Sequence, residues 1–139
     1  MTFVIRMTTS IAVPYFRWHD SGDIQNDDHF VNICTVAQNL PQIQFWLPTQ
    51  EHRYAREWLV PDNLIVRASA TLLGGPPPSD ITLVSNVIPK ALEQYWEDLV
   101  SRNSKALFRC PAALDKKNYN CGDCRACWDP EIFHVQYLE

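Results

Sequence analysis

Three cysteines near the C-terminus run at a strict three-residue step, Cys121-Gly-Asp-Cys124-Arg-Ala-Cys127, and Cys110 precedes them by a ten-residue gap. Thiolates two residues apart can turn their sulfurs onto one point, and four of them complete a tetrahedral shell. The spacing therefore points to a metal centre with Cys110, Cys121, Cys124 and Cys127 as ligands. Two centres satisfy it. The unbroken C-x2-C-x2-C run suits a [4Fe-4S] cluster. The glycine after Cys121 suits the tight knuckle of a structural zinc site, where backbone amides approach sulfur, and this tips the balance towards Zn2+. The competing chemistry is disulfide formation, for which four cysteines allow three pairings. The first fourteen residues include Arg6 but no long apolar run and no small-residue cleavage site, so no secretory leader is read. A reducing compartment, the cytoplasm of a bacterial host, then favours metal over disulfides. His134 is an alternative ligand but reads as a strand or surface histidine. Cys34 falls on the apolar face of a helix and reads as core.

A second constellation is Phe16-Arg17-Trp18-His19-Asp20-Ser21-Gly22-Asp23, which sets four ionisable residues among two aromatics. A His/Asp pair can do general acid–base work, and Asp20 with Asp23 can hold a metal or a ribose hydroxyl. His19, Asp20 and Asp23 are thus the candidate catalytic residues. Strand alternation would place Arg17, His19 and Ser21 on one face and Trp18 and Asp20 on the other. The structural reading of the same residues is a turn and a helix cap.

The elements that must position these groups follow from periodicity. Residues 13–19 read as a strand ending in a turn. A helix follows from Asn26 or Asp27, with Phe30, Ile33, Cys34 and Ala37 forming its buried stripe and Pro41 beyond its end. Ile43, Phe45 and Leu47 alternate in a second strand, and Thr49 is placed to cap a short helix carrying Tyr54, Ala55 and Trp58. Leu64, Val66 and Ala68 alternate in a third strand. Phe3, Val4 and Ile5 and residues 81–85 are further strand candidates. Strands alternating with helices imply parallel pairing. The carboxyl ends, near His19–Asp23, Thr49–Glu51 and Ser69–Thr71, then form the ligand face. Residues 90–103 form an amphipathic helix whose Tyr95 and Trp96 can serve a partner. The organisation reads as an α/β sheet region over 1–75, a linker and helix over 76–105, and a four-cysteine metal lobe over 106–139.

The chain has 139 residues, 46% of them hydrophobic, enough for one domain with a core. Its net charge of −4 counts against direct nucleic-acid binding, although basic residues surround the cysteine segment. No stretch has the length of a membrane span.

Four blocks, F-R-W-H-D-S-G-D-I-Q, F-W-L-P-T-Q-E, N-L-I-V-R-A-S-A and C-P-A…C-G-D-C-R-A-C-W-D-P, resemble phage and plasmid proteins of the gene-product-88-like group, which are loosely similar to radical-SAM enzymes. The resemblance covers roughly residues 14–73 and 110–130. It implies a partial, half-barrel-like parallel sheet with Ser21-Gly22-Asp23 near a cofactor site. It also implies an N-terminal section with a motif of the C-P-x-x-x-C-Y kind. Residues 1–12 hold no cysteine, so the chain is expected to be a shortened relative.

From this come three functional expectations. The first is a phage or mobile-element protein that binds a host protein complex as an anti-CRISPR-like inhibitor, its acidic surface imitating nucleic acid. The second is an enzyme with residual radical-SAM-like or hydrolytic chemistry at His19, Asp20 and Asp23. The third is a zinc-stabilised nucleic-acid binder. The exposed edge of a partial sheet also implies a homodimer.

Overall fold

A computed structural model describes residues 14–19, 22–92, 107–111 and 124–138. Among the described residues, six strands form one curled half-barrel sheet in which every pairing is parallel. In chain order the elements are β1 (Tyr15–Arg17), α1 (Asp27–Asn39), β2 (Gln44–Thr49), α2 (Arg53–Arg56), β3 (Leu64–Ser69), β4 (Val84–Ile88), a 3-10 turn (Lys90–Leu92), β5 (Leu107–Arg109), a second 3-10 turn (Ala126–Trp128) and β6 (His134–Leu138). The strands lie in the order β1-β2-β3-β4-β6-β5.

Helix α1 starts where the sequence places it. The Asn26 side chain accepts from the His29 amide at 2.8 Å, and Asp27 and Asp28 occupy the positive end of the helix dipole. Asn63 closes the other end. Its side-chain amide lies 2.9–3.0 Å from the carbonyls of Ala37, Leu40 and Ile43, and so ties the end of the helix to the start of β2. The buried stripe is Phe30, Ile33, Val36 and Ala37. It packs on Phe45, Leu47, Leu64 and Val66, with Tyr54 of α2 completing this core. Cys34 is partly buried against the same core, and burial raises its thiol pKa.

The opposite face of the sheet carries Trp46, Val135, Cys110 and Cys127. Strand β2 is therefore buried on both sides, with Phe45, Trp46 and Leu47 all below a tenth exposed. The alternation expected from Phe45 and Leu47 alone misses Trp46, because the cover for that side comes from residues 126–128, far away in sequence.

Several expectations are revised. The strand expected at 81–85 runs instead at Val84–Ile88, in register with His134–Leu138. Residues 107–109 and 134–138 are strands of the sheet itself, and Cys127 and Trp128 pack on one of its faces. Thr49 does not cap α2, whose preceding residue is His52, with no side-chain cap. The Thr49 hydroxyl instead accepts from the Glu51 amide. Phe3–Ile5, Asp20, Ser21, Tyr95, Trp96 and Cys121 lie outside the described residues, as does the 90–103 helix beyond Leu92.

Candidate functional site at the carboxyl edge

Because all strands are parallel, their carboxyl ends share one edge. There Asp23 joins the end of β1 to the end of β2. One carboxylate oxygen accepts from the Thr49 hydroxyl and from the Ile24 amide, and the other accepts from the Gln50 amide at 2.8 Å. One strand further on, the His52 ring donates through Nε2 to the Ser69 carbonyl at 2.7 Å, and the Ser69 and Ser85 hydroxyls meet at 3.1 Å. The edge is thus laced from β1 to β4. Asp23 acts in it as an anchor, with both oxygens engaged.

His19 leaves the face that strand alternation assigns to it. The strand ends at Arg17, and His19 has φ 58°, in the left-handed region that costs a non-glycine residue energy. This turn carries its ring towards α1, 5.5 Å from the His29 ring, while Arg17 stays on the opposite face over Trp46. Burial, and then the neighbouring His29, lower the His19 pKa, with Asp23 opposing them. Its Nε2 is buried without a partner among the described residues. The structure brings His19 and Asp23 to the same loop.

On the face opposite α1 the edge opens into a cleft of about 370 Å³. Its polar wall is Arg17, Gln50, Ser69, Ser85 and Tyr137, drawn from β1, β2, β3, β4 and β6 or just beyond their ends. Trp46 and Pro48 form the apolar part. Sequence reasoning found the edge but not this cleft. The signal available was the alternation itself, which sets Arg17, Ser69 and Ser85 on one face once the register is known. A wider and more open depression of about 760 Å³ lies past Tyr15, Gln44 and Trp128. Arg125, in its lining, stacks on the Tyr15 ring at 4.6 Å.

Behind the cleft lie the thiols. Cys110, Cys124 and Cys127 line one small apolar crevice with Phe108, Trp128 and Val135. All three, like Cys34, are thiols and not disulfides. Cys110 and Cys127 are buried and Cys124 is half-buried. Among the described residues, no three His, Cys, Asp or Glu side chains are close enough to hold a metal ion. His134 is not a fourth member. It lies on the other face of the sheet from Val135, where its Nε2 donates to the Asn86 side chain at 2.8 Å.

Two side chains fix the cysteine segment. Arg67 is fully buried, and its guanidinium faces the carbonyls of Ala126, Cys127, Asp129, Ile132, Phe133 and Val84 at 2.9–3.5 Å. Burial lowers its pKa, and the nearby Cys127 opposes that. Tyr137 sets its hydroxyl 3.0 Å from the Cys127 sulfur, and burial pushes its phenol pKa up. Trp128 ties the segment to β1 by donating to the Phe16 carbonyl at 3.1 Å. The donor set fits a thiolate metal centre in kind: buried sulfurs, a phenol beside one of them, and a buried cation to offset their charge.

Among the described residues no helix is long and apolar enough to cross a membrane. Comparison with curated proteins and with solved structures finds no match. The chain does match the family model of gene product 88 over residues 3–130, and it therefore belongs to that phage-type family.

Proposed function

We propose that this gene product 88 protein binds a small polar molecule in the carboxyl-edge cleft, on a sheet braced from behind by a metal–thiolate centre. The observation that carries the reading is the cleft itself, where polar side chains from five parallel strands or their ends face one space. Open parallel sheets take ligands outside the carboxyl ends of their strands, because loops and exposed backbone groups converge there. Cys110, Cys124 and Cys127, with Cys121, would hold zinc or a [4Fe-4S] cluster. When bound, such a centre supplies structural cross-linking or an electron-transfer site. Hydrolysis by Asp23 gains no support, since both of its oxygens accept hydrogen bonds from Thr49, Ile24 and Gln50.

The test is a screen of small metabolites by tryptophan fluorescence, with Trp46 as the probe in the wall. A binder whose signal disappears in Ala70→Trp, which fills the cleft, supports the reading. Binding that survives Ala70→Trp places the site elsewhere. Metal analysis of anaerobically purified protein tests the second half. One zinc or four irons per chain, lost in Cys124→Ser, is the expected result.

A second reading, docking on a host macromolecular complex as an inhibitor, is favoured by Leu72 and Leu73, 71% and 58% exposed just beyond β3, and by Leu92, 42% exposed. Apolar groups exposed together mark partner surfaces. The Gly74 backbone packs between this loop and Pro89 and Leu92, which brings the three leucines to one region. A binder of this kind saturates at one protomer or one dimer per target and co-elutes with it. An effect at strongly substoichiometric amounts, with a chemically altered target, would refute it.

A further inference from the structure

We infer that the cleft is built for an anion, a small molecule bearing a carboxylate or a phosphate. This rests on the cleft reading above and names its ligand class. Among the described residues the cleft wall holds one cation, Arg17, and no Asp or Glu. Arg17 is exposed, and its guanidinium carbon lies 5.0 Å from the centre of the Trp46 ring, a cation–π contact that orients the fork without using its N–H donors. Among the described residues no carboxylate pairs with it.

The hydrogen-bond balance of the wall has the same sign. Trp46 is 4% exposed, and its indole N–H, a donor only, has no acceptor among the described residues. Ser69 and Ser85 share one hydrogen bond between two hydroxyls, which leaves one O–H to donate outward. The Tyr137 hydroxyl is engaged with the Cys127 sulfur. Asn86 reaches the wall, but its side chain turns to the other face and accepts from His134. Beside the Gln50 amide, which can donate or accept, these donors and the Arg17 cation suit a ligand that brings acceptors. A guanidinium matches the two oxygens of a carboxylate or phosphate, and such charge-assisted pairs are about twice as strong as neutral ones.

The whole chain is acidic, with a net charge of −4, so a long polyanion would be repelled outside the cleft. The local cation selects a small anion. Its charge acts at short range, and moderate salt should weaken binding only modestly.

The test is titration calorimetry of the full chain with inorganic phosphate, with succinate, and with neutral ribose, followed in parallel by tryptophan fluorescence. Saturation by phosphate or succinate at one per chain is expected, and the stronger of the two identifies the acid group. Arg17→Gln should weaken that binding about tenfold or more, with unchanged circular dichroism and urea midpoint, because Arg17 is exposed. Arg17→Lys should restore part of it. Anion binding that is undiminished in Arg17→Gln overturns the inference. Ribose binding blocked by Ala70→Trp while both anions stay silent overturns the anion but leaves the cleft. Silence of all three probes into the millimolar range overturns the anion, and the metabolite screen then decides the cleft independently.

Discussion

The Tyr137 hydroxyl meets the Cys127 sulfur at 3.0 Å, and the same ring forms part of the wall of the carboxyl-edge cleft. One side chain therefore separates the thiol crevice from the cleft. A ligand in the cleft would press on the residue that supports a thiol, and a change at the thiol would move the cleft wall.

Tyr137→Phe keeps the packing and removes only the hydroxyl. The variant should lose about 1 kcal/mol in urea denaturation, the usual net value of one buried hydrogen bond. If the thiols hold zinc, its retention against a competing chelator should fall about 10-fold or more, as for other groups that support metal ligands. Zinc retention equal to that of the parent would show that Tyr137 plays no supporting role.

Arg67 fixes the segment from Ala126 to Phe133 through backbone carbonyls. Arg67→Met removes the charge and its N–H donors from those carbonyls, of which Ala126, Asp129 and Phe133 keep a backbone amide donor. The expected loss is about 3–5 kcal/mol, typical of breaking a buried charged network. The near-ultraviolet signal of Trp128, which packs on Tyr15 and Trp46, should diminish, and Cys127 should become reactive to alkylation. A variant with full stability and an unreactive Cys127 would mean that the apolar contacts alone seat the segment.

The first half of the fold is legible in the sequence because its signals are local. The Asn26 cap, the stripe of Phe30, Ile33 and Ala37, and the alternation of β2 and β3 carried by Phe45, Leu47, Leu64 and Val66 each lie within one element. The second half is not legible in this way. Strand β6 enters the sheet between β4 and β5, and a three-residue β5 carries too few residues to show a period. The role of Arg67 is hidden too, since its partners lie about sixty residues further along the chain. Alternation misplaces His19 because a left-handed φ at a histidine leaves no mark in the residue pattern.

Asp23 is expected to matter for stability. Asp23→Asn removes the charge from a carboxylate that accepts from Thr49, Ile24 and Gln50. A loss of about 1.5–3 kcal/mol should appear in urea denaturation, the range for hydrogen bonds to charged groups. Hydrogen exchange at the Gln50 amide should speed up, since its acceptor is weakened. A variant that folds with parental stability yet loses ligand binding would assign Asp23 to the site instead of the scaffold.

Stability should also depend on pH through His134. Burial, and then the nearby Arg67, lower its pKa from 6.5 to about 4, and its Nε2–H donates to Asn86. The folded chain therefore keeps this ring neutral where the unfolded chain protonates it. Above pH 6.5 both states are neutral and the group adds no slope. As pH falls from 6.5 towards 4 the unfolded state gains the proton and the folded state does not, so stability is lost across that window. Allowing for screening of a ring that is only partly buried, the loss is on the order of 2 kcal/mol. His19, also held below its ordinary value, adds a slope of the same sign. His134→Gln keeps a donor for Asn86 and removes the titration, so its urea midpoint should fall less across the window than that of the parent. Equal falls in the two proteins would mean that His134 is solvated well enough to protonate in place, and the acid sensitivity would then belong to His19 or to the carboxylates.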